Sequence, residues 1–241
     1  TVEAFKTMKG NVDAMFFNAG VADCETLNNL LSAKYEANKE DVANLKEVAS
    51  LLRRSECVDL PLYATVAEQL YQLDPTADAA YSLAIMFLKR QEFDKTEGYL
   101  KEAIAKSEDN EAKAEYYLKM AQLQLAKKQY QATKTNALEV LKLNPNNGTA
   151  LMLIGKAYAN SASNYGEDDF DHASVFWAAV DKFQKAKQVD PAMTEEADKL
   201  IGIYSQHFPS KDEAFVRSVT DGATVKIGSW INESTKARFR K

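Results

Sequence analysis

Apolar positions along most of this chain recur every three to four residues, the spacing that lays one face of a helix against a core. Short apolar-periodic pieces run from Thr1 to Lys9 and from Val12 to Ala19, divided by Gly10 and ended by Gly20, which accepts positive φ at a helix end. Asp23 or Cys24 opens a helix through Tyr35, and Glu40 to Arg54 forms the next, with Leu45, Val48, Leu51 and Leu52 on one face. Pro61 starts a further helix, Leu62 to Leu73, stopped by Asp74-Pro75. All of this predicts helix packed on helix.

From Tyr81 to Pro191 the pattern repeats itself. Ala80-Tyr-Ser-Leu-Ala84 aligns with Glu115-Tyr-Tyr-Leu118, Gln91-Glu-Phe-Asp-Lys95 with Lys128-Gln-Tyr-Gln-Ala132, and Leu143-Asn-Pro145 with Val189-Asp-Pro191. With Pro145 and Pro191 at position 32 of a 34-residue unit, small residues fall at position 8 (Ala84, Ala121, Gly155) and at position 20 (Thr96, Thr133, Ala179). Aromatic position 17 carries Phe93, Tyr130 and Phe176. Small side chains at the crossing points let two helices keep the roughly 8–10 Å interaxial distance of packed pairs.

On these residues the chain resembles the tetratricopeptide repeat family over about Asn44 to Phe208. The resemblance implies an all-α, right-handed α-solenoid of helix-turn-helix units that works as a protein-binding scaffold. Departures from the pattern are equally local. One repeat ends in Ser107-Glu108-Asp109-Asn110 without a proline, and Phe93 to Tyr130 is 37 residues rather than 34. About a dozen residues, Ser161 to His172, are inserted between the helices of a later repeat, and the last unit, Thr194 to Phe208, offers a first helix only, with Ile201 where a small residue belongs.

Beyond Phe208 the period changes. Ser210 and Glu213 form a Ser-x-x-Glu capping box for a short helix to about Val219, and Asp221-Gly222 breaks it. Val225, Ile227 and Ile231 then alternate with Thr224, Lys226, Gly228 and Trp230. After Asn232-Glu233-Ser234, the residues Thr235, Ala237 and Phe239 alternate with Lys236, Arg238 and Arg240. Two period-2 runs around a polar turn predict a β-hairpin. It is expected to cover the last helix at Ala197, Leu200, Ile201 and Tyr204, leaving Lys236, Arg238 and Arg240 outward. The expected divisions are 1–60 for N-terminal helices, 61–208 for the array and 209–241 for a capping helix and hairpin. The stretch Phe208-Pro-Ser-Lys-Asp-Glu-Ala-Phe215, followed by Gly228-x-Trp-Ile-x-Glu-Ser234, is similar to the tail of exported tetratricopeptide proteins of Gram-negative envelopes. That similarity implies a periplasmic or outer-membrane-associated location, with the cytoplasm as the alternative.

Composition narrows the partners. The net charge is −5 and the repeats carry no basic stripe, which argues against nucleic acid. No run approaches the ~20 apolar residues of a transmembrane span. The chain begins at Thr1 rather than Met, from which an upstream segment is expected to be missing. Cys24 starts one helix and Cys57 follows the end of the next, so antiparallel packing would bring them together as a disulfide worth roughly 3–4 kcal/mol in the chain-entropy model. Two reduced, half-buried thiols are the other reading.

Catalytic chemistry is thin. Neither His172 nor His207 has a local Ser or Cys partner, no phosphate loop occurs among the nine glycines, and no cofactor, metal or catalytic residue is expected. The cluster Glu167-Asp168-Asp169-Phe-Asp171-His172 could offer ligands to a cation, but it lacks the EF-hand spacing and reads more simply as an acidic solvated loop that caps the following helix. His207 reads as a helix-end cation or a packed aromatic. Tyr116, Tyr117, Tyr158, Tyr165, Phe176 and Trp177 read as a ligand cage or as core.

The concave stripe of the first helices is expected at Tyr81, Ile85, Leu88 and Lys89, then Leu118, Gln122 and Leu125, then Met152, Lys156 and Asn160. This mixed apolar stripe does not reproduce the Lys and Asn pattern of relatives that clamp a C-terminal carboxylate, and it suits an extended or helical peptide. Side chains there are expected to stand exposed. The leading function is a non-enzymatic interaction scaffold of the periplasm or cell envelope with a protein or peptide partner. The alternatives are a small-ligand or glycan-binding protein using residues 161–177, with Tyr165 and Trp177 at its mouth, or an enzyme accessory subunit.

Overall fold

The computed structural model of the chain describes residues 23–240. The helical pieces expected at Thr1 to Lys9 and Val12 to Ala19 lie outside the described residues. The chain divides into two compact units at Ser107/Glu108, the junction where the sequence lacks its repeat-closing proline.

Unit 1 contains α1 (Cys24–Ala37), α2 (Val42–Arg54), α3 (Pro61–Leu73), α4 (Ala77–Lys89) and α5 (Phe93–Lys106). Side-chain oxygens cap three of these helices: Asp23 accepts from Thr26 N–H, Asp41 from Ala43 N–H, and Thr76 from Ala79 N–H. The turn from α4 to α5 is tight, and α5 has no side-chain cap. Gln91 takes φ +58°, its N–H reaches Leu88 O, and Glu92 N–H reaches Phe87 O. This left-handed helix end satisfies the orphan carbonyls of α4 within the turn. The same closure ends α2 at Glu56 (φ +57°), where Cys57 N–H bonds Leu52 O at 2.8 Å. Cys57 is thereby fixed beside the start of α1, and the Cys24–Cys57 disulfide is formed, with Cα atoms 5.4 Å apart.

Unit 2 contains α6 (Asn110–Ala126), α7 (Tyr130–Leu143), α8 (Gly148–Ser161), α9 (Asp169–Val189), α10 (Thr194–Ser205) and α11 (Lys211–Val216), followed by strands β1 (Thr224–Ile227) and β2 (Glu233–Lys236). Lys128 closes α6 with φ +58°, as Gln91 closes α4. Successive helices pack in pairs in the tetratricopeptide manner, α6 on α7 and α8 on α9, while first helices α6 and α8 lie side by side. The small residues of the repeat sit at the crossings. Ala84, Thr96, Ala121, Thr133 and Ala179 are fully buried, and a Cβ built on Gly155 would lie 2.5 Å from the ring of Phe183.

The aromatic position is less regular than the sequence suggests. Phe93 stands 39% exposed at the start of α5, and the plug of that helix pair is instead Tyr99, stacked on Phe87 and edge-on to Tyr71 at 5.4 Å. Phe176 plays the expected part, stacked on Tyr204 at 5.5 Å.

The hairpin is antiparallel, pairing Val225 with Thr235 and Ile227 with Glu233, so its turn spans residues 228–232 rather than beginning at Asn232. Its seat also differs from the expectation. The apolar face of α10 is already taken by α9, with Ala197 buried and Tyr204 stacked on Phe176 and Phe183. The hairpin lies instead on α9, with its turn against α7 and α8. Arg238 points inward and not to solvent.

Candidate partner-binding surface and its surroundings

The first-helix stripe splits by burial. In unit 1, Tyr81 and Ile85 are 3% and 8% exposed and belong to the core, Leu88 is half-buried, and exposed Lys89 pairs with Asp59 at 3.1 Å. The reason for Tyr81 is Arg53. Its guanidinium lies 5.3 Å from the Tyr81 ring centroid, bonds Asp78 at 2.6 Å, and donates to Ser82 Oγ. Tyr63 closes this cluster by donating to Ser82 O at 3.0 Å, and burial pushes its phenol up to about 12. A cation with two oxygen partners stacked on an aromatic ring is satisfied internally, and it removes Tyr81 from any open face.

In unit 2, Met152 is 2% exposed and also core, contrary to the expectation that it stands open. Leu118, Gln122 and Leu125 on α6 are half-buried, as is Lys156 on α8, and Asn160 is exposed. Lys156 reaches Glu196 of α10 at 2.6 Å. The accessible part of the stripe is therefore an apolar pair, Leu118 and Leu125, edged by an amide, an ammonium–carboxylate pair and a second amide. Where the array lacks a following second helix, Ile201 lines an open cleft of about 740 Å³ with Gln184, Lys185, Gln188 and Thr194.

The insertion and the C-terminal hairpin are fitted to each other. Tyr165 Oη accepts from Gly228 N–H at 2.7 Å. Trp177, fully buried, donates its indole N–H to Arg238 O at 2.6 Å. The proposed ligand mouth at Tyr165 and Trp177 is thus occupied by the protein's own chain. Glu233 gathers Tyr158 Oη at 2.9 Å and Lys182 at 2.8 Å, and Lys134 donates to Ile231 O at 2.6 Å. Burial first, and the Glu233 carboxylate second, push the Tyr158 phenol up, while burial holds Lys134 below its usual value against the pull of Glu233. Sequence offered no sign of this cluster, because Lys134 and Lys182 occupy positions where solvated lysines are ordinary.

The acidic cluster is spent on local structure. Asp168 caps α9 by accepting from Asp171 N–H at 2.9 Å, Asp171 accepts from Glu167 N–H at 3.1 Å, and Arg217 pairs with Asp168. The Asp171 N–H, and then Arg217, hold the Asp168 carboxyl below its ordinary range. His207 packs on the Phe176 ring at 5.3 Å. Among the described residues no three His, Cys, Asp or Glu side chains converge to hold a metal ion, and no helix is long and apolar enough to cross a membrane.

No family model matches the chain, and no curated protein is similar to it in sequence. Solved structures share its fold. A crystal structure of MamA superposes with TM-score 0.54 at 18% identity, over 71% of this chain and 92% of that one. YrrB, described as a TPR protein with an unusual peptide-binding site, gives 0.51 at 17% identity, over 72% and 81%. A second MamA structure gives 0.50 at 18% identity, over 80% and 90%. The fold is the tetratricopeptide one.

Proposed function

We propose that this protein is a non-enzymatic interaction scaffold that takes an extended or helical segment of a protein partner on the first-helix face of α6 and α8. The observation that carries this reading is the partly open pair Leu118 and Leu125, edged by Gln122, Lys156 and Asn160 on adjacent first helices. Apolar side chains give such a surface its affinity, and flanking amides and charges fix the direction of the bound chain. The peptide-binding description of YrrB is in keeping with it. The Cys24–Cys57 disulfide favours an oxidising compartment, and with the tail similarity it supports the periplasm or cell envelope.

Capture from envelope extract, compared between the native protein and a Leu118→Ser/Leu125→Ser variant, tests the reading. Loss of specific captured proteins by a variant that keeps its helicity and melting temperature is the expected result. Equal capture by both proteins sinks it. Tyr81 and Met152 are unsuitable probes, because changing buried side chains unfolds rather than blinds the surface.

A further inference from the structure

We propose that the Cys24–Cys57 disulfide is a redox latch, which a dithiol reductant opens to free the first half of α1 while the helices behind it stay folded. The two ends of α1 are held by different means. At its far end Tyr35 donates to Gln69 Oε1 at 2.6 Å, and Gln69 donates in turn to Lys39 O at 2.5 Å. Asn44 donates to Lys34 O at 3.2 Å and Asn38 O at 3.1 Å, and Lys34 pairs with Glu47. These contacts pin α1 to α2 and α3 without the bridge. At its near end, Cys24, Glu25, Thr26, Asn29 and Leu30 are exposed, and only Leu27 and Leu31 are buried. The covalent bond to Cys57 is what ties that end to the turn after α2.

The two sulfurs are unequal. Cys24 is the exposed first residue of its helix, whereas Cys57 is 2% exposed, so the reductant approaches Cys24. A thiolate of the dithiol attacks the Cys24 sulfur, the S–S bond breaks, and Cys57 leaves as a thiolate that takes up a proton. The second thiol of the reductant then attacks the mixed disulfide, releasing Cys24 as a thiol while the reductant becomes a disulfide. The reduced form is provided for. Cys57 Sγ lies 3.2 Å from Ser55 O, an acceptor that a half-cystine cannot use and a thiol can. Once free, the first two turns of α1 hold to the described residues of the unit through Leu27 and Leu31 alone, too short a segment to stay helical by itself.

Hydrogen exchange read by mass spectrometry on the full chain, before and after dithiothreitol with alkylation of the released thiols, tests the latch. Dithiothreitol has one target, since the chain holds two cysteines and both are in this bridge. The expected result is exchange about tenfold faster or more over residues 25–31, with residues 62–89 unchanged. A Cys24→Ser/Cys57→Ser protein should show the faster pattern without reductant and no response to it. Unchanged exchange after complete alkylation overturns the latch by making the bridge an inert brace. Loss of protection through residues 62–89 overturns it by making the bridge a staple of the whole unit, and failure of native protein to be reduced at all overturns it as well.

Discussion

Trp177 and Arg238 exchange hydrogen bonds. The indole N–H donates to Arg238 O at 2.6 Å, and the Arg238 guanidinium donates back to Trp177 O at 2.7 Å while pairing with Asp181 at 2.7 Å. Phe170 and Phe239 lie edge-on to the indole at 5.9 and 6.4 Å. A lone two-stranded hairpin is marginal in water, so this exchange is a large part of what orders it. Trp177→Phe leaves the Arg238 carbonyl unpaired and should destabilise by about 1–3 kcal/mol. Arg238→Ala should speed amide exchange in β1 and β2 before it moves the helices. Deletion of residues from Asp221 onward exposes Trp177 and should lower the melting temperature and promote aggregation. An unchanged melting temperature would mark the hairpin as a detachable arm.

Glycine substitutions should divide by location. At Gly155 an added Cβ meets the buried Phe183 ring at 2.5 Å, so Gly155→Ala should destabilise by roughly 1–3 kcal/mol despite the better helix propensity of alanine. At Gly98, within α5, nothing lies within 4 Å, and Gly98→Ala should stabilise by about 0.5–1 kcal/mol. Paired urea titrations measure both. A stabilising Gly155→Ala would place the α8–α9 crossing wider than described.

Much of this fold was legible from the chain because its repeats state packing directly. Small residues at Ala84, Ala121 and Gly155 can only mean close helix crossings, and all three are at such crossings. Cys24 and Cys57 were equally readable, since antiparallel neighbours bring opposite helix ends together. The hairpin's existence followed from period-2 alternation, but its seat did not. Alternation says which side chains are buried together and nothing about which helix they meet; bonds from Lys134, Tyr158 and Tyr165 decide that. The candidate surface was half legible. Repeat position put Leu118 and Leu125 on the first-helix face, where both are half-buried rather than exposed, yet Tyr81 occupies the position of Leu118 in its own repeat and is buried beneath Arg53, a residue from a helix with a looser repeat pattern.

Acid should loosen two helix starts in unit 2 first. Asp168 is held below its ordinary 3.8 by Asp171 N–H and then Arg217, and Glu213 below its ordinary 4.5 by Ser210 N–H and then by the Ser210 side chain. A carboxyl whose folded value is depressed contributes stability that is fully present above its unfolded value and lost as pH falls through the folded one. Stability is therefore expected to decline below about pH 4, with exchange rising first at the starts of α9 and α11. Asp168→Asn should flatten part of that decline. Added salt should weaken only the shares due to Arg217 at Asp168 and Arg240 at Glu213, because both pairs are exposed. A flat profile from pH 6 to pH 3 would show that neither cap matters to stability.

Glu233 is the residue on which the hairpin turn and three helices converge. Its carboxylate accepts from Tyr158 of α8, pairs with Lys182 of α9, and lies 3.9 Å from Lys134 of α7. All three partners are largely covered, so replacing Glu233 leaves a buried hydroxyl and two poorly solvated ammonium groups facing one another. Glu233→Ala should destabilise unit 2 by about 2–4 kcal/mol, more than the exposed pair Lys142–Glu139 would yield under the same treatment. Part of the loss should return in a Glu233→Gln protein, which keeps an acceptor for Tyr158 but no charge. In a double-mutant cycle with Lys182→Met, a coupling energy near zero would show that Lys182 is solvated rather than paired, leaving Tyr158 and Lys134 as the partners that make Glu233 matter.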